Sequence, residues 1–195
     1  MNTKKLTLTI VFAAVTVALN PAFTKIAIPA PYAPFLFYQI WEIPILAAFI
    51  LISPRSAVAI SVLNAVVLLA LFPGALLLGP FYNLLAVLSM LLGVYIVHKL
   101  LTRKNPKNET EKATLKQQTI LITAATTLGI IFRVGIMTVV NYSVLRYPPP
   151  LGYSMPEAAV VASIPLIGLF NATLALYTIP AGYLIAKTVK SNLRL

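Results

Sequence analysis

Hydrophobic residues fill this chain in long blocks, separated by short polar or proline-rich interruptions. Blocks of this length predict membrane-crossing helices rather than amphipathic surface helices. Six spans are expected. The first is Leu6–Asn20, stopped by Pro21. The second, Tyr38–Ile52, is short. The third and fourth are Ser56–Phe72 and Pro80–Leu100. The fifth, Gln117–Leu145, is long enough to tilt or project. The sixth, Glu157–Lys187, contains Pro165 and Pro180 as candidate kinks. The connection from Ala22 to Phe37 carries Pro29, Pro31 and Pro34, which rule out a regular helix, and its apolar content predicts packing against the protein. Ser53-Pro54-Arg55 and Pro73-Gly74 read as tight turns, and Arg146–Pro156, with Pro148-Pro149-Pro150, as a loop. Thr102–Lys116 is the one long polar stretch and the expected flexible segment. No internal repeat is visible, which argues against an inverted-repeat carrier.

The charges orient these spans. Lys4, Lys5, Arg55, Lys99, Arg103, Lys104, Lys107, Lys112, Lys116, Lys187, Lys190 and Arg194 fall in one set of loops and tails. Only Lys25 and Arg146 fall in the other, and Arg133 lies within a span. Cytoplasmic loops carry the Lys/Arg excess, so both termini are expected in the cytoplasm. The fold class expected is therefore all-α: a single integral membrane bundle of six transmembrane helices over residues 1–195, a multi-pass protein of the plasma membrane.

Composition narrows the function. Of 195 residues 59% are hydrophobic and 10% charged, against about a quarter charged in a soluble domain. Too little chain remains outside the membrane for an ATPase or a sizeable soluble enzyme. The formal net charge of +11 follows from the one-sided basic loops, which also suit anionic lipid headgroups. No basic stripe interleaved with aromatics points to nucleic acid. The absence of Cys excludes thiolate chemistry and Cys-ligated metal, and the single His98 at a span end reads as an interfacial residue. No catalytic triad, paired acids within one span or phosphate-binding glycine loop occurs, so no enzyme, metal or cofactor is expected.

With the basic side inside, polar and aromatic residues gather near the outer ends of three spans: Tyr38, Gln39, Trp41 and Glu42 on the second, Tyr82 and Asn83 on the fourth, Asn141 and Tyr142 on the fifth. Aromatic faces stack flat rings and amides hydrogen-bond ring edges, so these residues suit a small-molecule pocket. An interfacial aromatic belt would explain the Tyr and Trp, but not Asn83, Asn141 and Glu42. Asn64, Arg133 and Asn171 lie deeper. An Arg at the bilayer centre costs at least about 3 kcal/mol on insertion scales and requires a partner. Arg133 either is neutralised by Glu42, the one acid within a span, or by carbonyls, and ties helices together, or contacts substrate. Asn64 reads as an interhelix hydrogen bond. On the first span Ala14 and Ala18 share a helix face, widened by Ala13, that permits close approach of another helix.

Taken in order, these residues resemble the substrate-binding S component of energy-coupling factor (ECF) transporters, most closely its riboflavin-specific group. The resemblance runs over nearly the whole chain. It rests on the basic N-terminus with Ala14 and Ala18, on Glu42-Ile43-Pro44 after a proline-rich loop, and on Asn83-Leu84-Leu85. It also rests on Met137-x-x-x-Asn141-Tyr142 after Arg133, and on Ile164-Pro165 with Phe170-Asn171. It implies a six-helix protein that captures a vitamin, here riboflavin, from outside. The ligand would contact Tyr38, Trp41, Glu42, Asn83, Arg133, Asn141, Tyr142 and Asn171. Ala14 and Ala18 would face a membrane-coupling subunit that works with two ATPase subunits. The sequence departs from the group at Gly79-Pro80-Phe81, where a Gly-Glu is usual, and at Leu174, where a Lys is common. An S component for another vitamin, a ligand-free membrane assembly protein and an ion-driven transporter are the alternatives.

Overall fold

The computed structural model describes residues 3–24, 28–72, 76–104 and 115–193. Lys25, the Pro73-Gly74 turn and most of the polar stretch expected to be flexible lie outside the described residues. The elements in chain order are α1 (Thr3–Ala18), α2 (Pro21–Thr24), β1 (Ile28–Ala30), β2 (Ala33–Tyr38), α3 (Glu42–Leu51), α4 (Pro54–Leu71), α5 (Gly79–Lys104), α6 (Leu115–Val144) and α7 (Glu157–Leu193).

Local chemistry explains several boundaries. Ser53 caps α4: its hydroxyl accepts from the Ser56 amide at 3.1 Å, and Pro54 occupies the first turn, where its missing N–H costs nothing. α7 continues as one helix through Pro165 and Pro180. Four helices among the described residues, α4 to α7, are long and apolar enough to cross a membrane.

The second span is shorter than the sequence pattern suggested. α3 has 10 residues, about 15 Å at about 1.5 Å per residue, against a hydrocarbon core of about 30 Å. Residues 38–41 leave the helix because the chain arrives from a β-hairpin. α3 is nevertheless the centre of the core: Ile45, Leu46, Ala47 and Ala48 are fully buried. Such all-round apolarity marks a helix enclosed by others. It packs against α7 on one side and against α1 and α4 on the other, while α5, α6 and α7 lie side by side. Gly93 and Gly129 let α5 and α6 approach closely: a Cβ on Gly93 would lie 2.6 Å from the Leu128 carbonyl oxygen.

The proline-rich connection also departs from the all-α expectation. It forms a two-stranded antiparallel sheet, with Ile28 opposite Tyr38 and Pro29 opposite Phe37, and an irregularity after Pro29. In a sheet of two strands each is an edge, so Pro29 forfeits no ladder bond the sheet requires. The hairpin is tied to α7 through a chain of hydroxyls. Tyr38 Oη lies 2.7 Å from Tyr32 Oη and 3.0 Å from Thr173 Oγ1. Tyr177 donates to the Gln39 carbonyl at 2.6 Å. Burial, and then the bond to Tyr38, raise the Tyr32 phenol above its ordinary pKa. Replacing Tyr38 with Phe removes two of these contacts and should cost about 1 kcal/mol of stability, with faster proteolysis within residues 28–38 as the readout.

Alternate helix directions place the described lysines and Arg55 together, whereas Arg146 lies at the other end beside Tyr142. The starts of α1, α4 and α6 and the ends of α5 and α7 share one end of the bundle, linked by contacts such as Thr9 with Ser56 and Lys187 with Gln118. The hairpin and the 145–156 loop lie at the opposite end, where Tyr82 of α5 donates to the Leu151 carbonyl at 2.8 Å.

Candidate ligand cavity

A cavity of about 520 Å³ opens at the end opposite the lysines, within the roughly 300–1,000 Å³ range of small-molecule sites. α6 supplies its back wall through Arg133, Met137 and Asn141, whose four-residue spacing keeps them on one helical face. α7 adds Ser163, Ile167, Phe170, Asn171 and Leu174, and the first turns of α5 add Tyr82, Asn83 and Ala86. Two straps complete the wall: Leu36, Phe37 and Gln39 at the end of the hairpin, and Leu145, Leu151, Tyr153 and Met155 of the loop after α6. That loop is folded back on itself, with the amides of Tyr153 and Met155 both donating to the Leu145 carbonyl.

Arg133 ties the cavity to the core. Its Nε donates to Asn171 Oδ1 at 3.0 Å and its Nη2 to Glu42 Oε1 at 2.9 Å, while Nη1 donates to Glu42 Oε2. Both side chains are almost wholly buried, at 2% and 1% exposure. The planar guanidinium meets the carboxylate through two parallel bonds, the geometry that best offsets desolvation. Glu42 is the first residue of α3, where a helix N-terminus favours negative charge. Asn171 anchors its own amide on the Ile167 carbonyl at 2.9 Å. Arg133 is therefore paired with Glu42, and its side chain also lines the cavity. Among the described residues it is the one charged side chain on the wall, and Glu42 neutralises it. The rest of the polar lining consists of amides and hydroxyls.

Of the eight ligand contacts that the resemblance implies, Asn83, Arg133, Asn141 and Asn171 are brought together on this wall, beside Gln39 and Tyr82 of the outer clusters. The other four are placed off it. Tyr38 packs on Phe170, with ring centroids 5.3 Å apart, and serves the hairpin latch. Trp41 is buried in the main core cluster, and Glu42 stands behind Arg133. Tyr142 is exposed, donates to Glu157 at 3.2 Å and carries the Arg146 guanidinium 4.5 Å above its ring. The strap residues Leu36, Phe37, Leu151, Tyr153 and Met155 were not singled out in the sequence. The signal available for them was the apolar character of both proline-rich loops, which solvated loops do not need. At mid-depth in α4, Asn64 is buried and its Oδ1 has no partner among the described residues, so no interhelix bond from that atom is formed.

Ala14 and Ala18 are exposed. They line a shallow apolar groove between α1 and α4, together with Ile10, Val17, Phe23, Ala59 and Leu63.

The fold and cavity together define a membrane-embedded helical protein with a ligand-sized, electrically neutral cup at one end. No protein-family model and no curated protein matches the sequence. The fold is similar to a solved structure of the S component of a bacterial ECF transporter, with a TM-score of 0.72 and 24% sequence identity over 100% of both chains.

Proposed function

We infer that this chain is the substrate-capturing S component of an ECF-type importer, a six-span plasma-membrane protein with both termini in the cytoplasm, and that its ligand is riboflavin. The observation that carries this reading is the cavity. It is amide-lined, its one wall charge is cancelled, and it lies at the end opposite the described lysines in a fold shared with an S component. An uncharged heteroaromatic ring suits such a wall: Phe37, Phe170 and Tyr82 offer faces, and Asn83, Asn141 and Gln39 offer hydrogen bonds to ring-edge atoms. A carboxylate or ammonium ligand would be desolvated there without a counter-charge. The groove around Ala14 and Ala18 would receive the membrane-coupling subunit, which in turn engages two ATPase subunits.

The test uses the chain's single Trp41. Riboflavin absorbs where Trp emits, so bound flavin quenches Trp41 by energy transfer. Saturable quenching at sub-micromolar riboflavin supports the reading; a linear response with no saturation removes riboflavin as ligand. The Leu174 and Pro80 positions, where a base and an acid were expected from the resemblance, favour a second reading with another neutral vitamin, and a competition panel including pyridoxine separates the two. Asn141→Ala should weaken binding by about 1–3 kcal/mol if the amide pairs with ligand, and unchanged affinity would take Asn141 out of the site. Ala14→Trp should leave ligand affinity intact and prevent copurification of the coupling subunit. Normal copurification would move the docking face elsewhere.

A further inference from the structure

A second cavity, of about 370 Å³, lies at the lysine-rich end between α3, α5, α6 and α7. Its walls are apolar, with Ile50 and Leu51 on one side and Leu121 and Ile122 on the other. His98 and Tyr183 form its floor. The two rings stack at 5.7 Å with an interplanar angle of 12°, and His98 Nε2 is hydrogen-bonded to the Tyr183 hydroxyl. That pairing answers Nε2 and the hydroxyl together, leaving the floor little need for a polar guest. The mouth has the opposite character. Lys187 and Lys190 border it from one face of α7, and Lys187 donates there to the Gln118 amide oxygen at 3.4 Å. No carboxylate among the described residues is at this end. Glu42 is bound to Arg133 in the core, and Glu157 meets Tyr142 at the opposite end.

We propose that this cavity is a binding site for one anionic phospholipid, with an acyl chain between α3 and α6 and the headgroup phosphate on Lys187 and Lys190. A soluble phosphate would satisfy the lysines and leave the apolar walls unfilled, and a zwitterionic lipid would fill the walls while bringing no net charge to the lysines. Anionic lipid does both, and basic pockets between helices at the cytoplasmic face are where such headgroups bind. The cavity shares no lining residue with the one at the opposite end, so the proposal stands apart from the identity of the transported ligand.

Native mass spectrometry of the full chain tests it, after equilibration in detergent with equal phosphatidylglycerol and phosphatidylcholine of matched chains. The wild type should retain one phosphatidylglycerol with a preference of about tenfold or more, given two basic contacts. The K187Q/K190Q variant should bring that preference to about unity. Leu121→Trp, which fills the wall and leaves the lysines, should abolish retention. K4Q/K5Q, which removes equal charge elsewhere at the same end, should change nothing. A preference that survives K187Q/K190Q, or one lost equally in K4Q/K5Q, overturns the site. Displacement of the lipid by millimolar glycerol phosphate would mark a free-anion site instead, and would equally overturn the proposal.

Discussion

Replacing Glu42 with Gln should cost this protein about 3–5 kcal/mol, the effect of leaving one member of a buried ion pair uncompensated. Arg133 cannot escape the change: it is 2% exposed, it lies between α3 and α7, and its remaining side-chain contacts are Asn171 and the Met90 sulfur. The amide put in place of the carboxylate could accept one bond but would not neutralise the guanidinium. Since small proteins are stable by only about 5–15 kcal/mol, the variant should unfold at markedly lower temperature or denaturant. Trp41, at 1% exposure and next in sequence to residue 42, reports the transition through its emission maximum. Arg133→Met should be similarly damaging, because it strands the carboxylate. The double variant E42Q/R133M removes both charges and should recover much of the loss, as apolar replacement of a complete buried pair is often neutral. Strictly additive losses in that cycle would show that the two residues are not coupled.

The second large effect is steric. Gly93→Val should destabilise the bundle by about 3 kcal/mol, the upper part of the usual range for overpacking. A Cβ at Gly93 meets the Leu128 carbonyl oxygen at 2.6 Å and Gly129 Cα at 2.8 Å, and both are backbone atoms. No rotamer change relieves such contacts, so α5 and α6 must separate. Both helices contribute to the cavity wall, α5 through Asn83 and α6 through Arg133 and Asn141, so ligand affinity should fall along with stability. Gly135→Ala is the matched control. A Cβ there meets nothing within 4 Å, and Ala is favoured over Gly in a helix interior by about 1 kcal/mol. That variant should be neutral or slightly stabilised. Equal behaviour of the two variants in thermal unfolding would remove close packing as the reason for Gly93.

The helices were legible in the sequence because a membrane imposes long apolar blocks and charges mark their ends. α4 to α7 begin and end within a few residues of the expected positions, apart from the lysine-rich ends of α5 and α7, which run on past Leu100 and Lys187. Where tertiary packing replaced lipid, that signal failed. α3 buries seven of its 10 residues against protein and does not need the length of a full span. The hairpin before it was hidden because its prolines argue only against helix, whereas its strands are specified by cross-strand pairing and by Tyr38 reaching Thr173, a contact 135 positions away. The same reason divides the candidate site. Asn83, Asn141 and Asn171 sit on regular helices, so depth and side followed from periodicity. The facing of Tyr38 and Tyr142 depended on strand register and on Glu157 and Arg146, which no local pattern encodes. The pairing of Arg133 with Glu42 was one of the alternatives that the sequence left open, since a buried guanidinium needs a partner but carbonyls or a ligand could also supply one.

That pairing also sets how the protein meets the membrane's electric field. Moving one unpaired charge through the bilayer involves about 2.3 kcal/mol per 100 mV. Glu42 and Arg133 travel together at hydrogen-bond distance, so the core is a compact dipole with no net charge to drive. The described lysines gather at one end, away from this pair. Voltage therefore finds no net charge to act on within the buried core of the bundle.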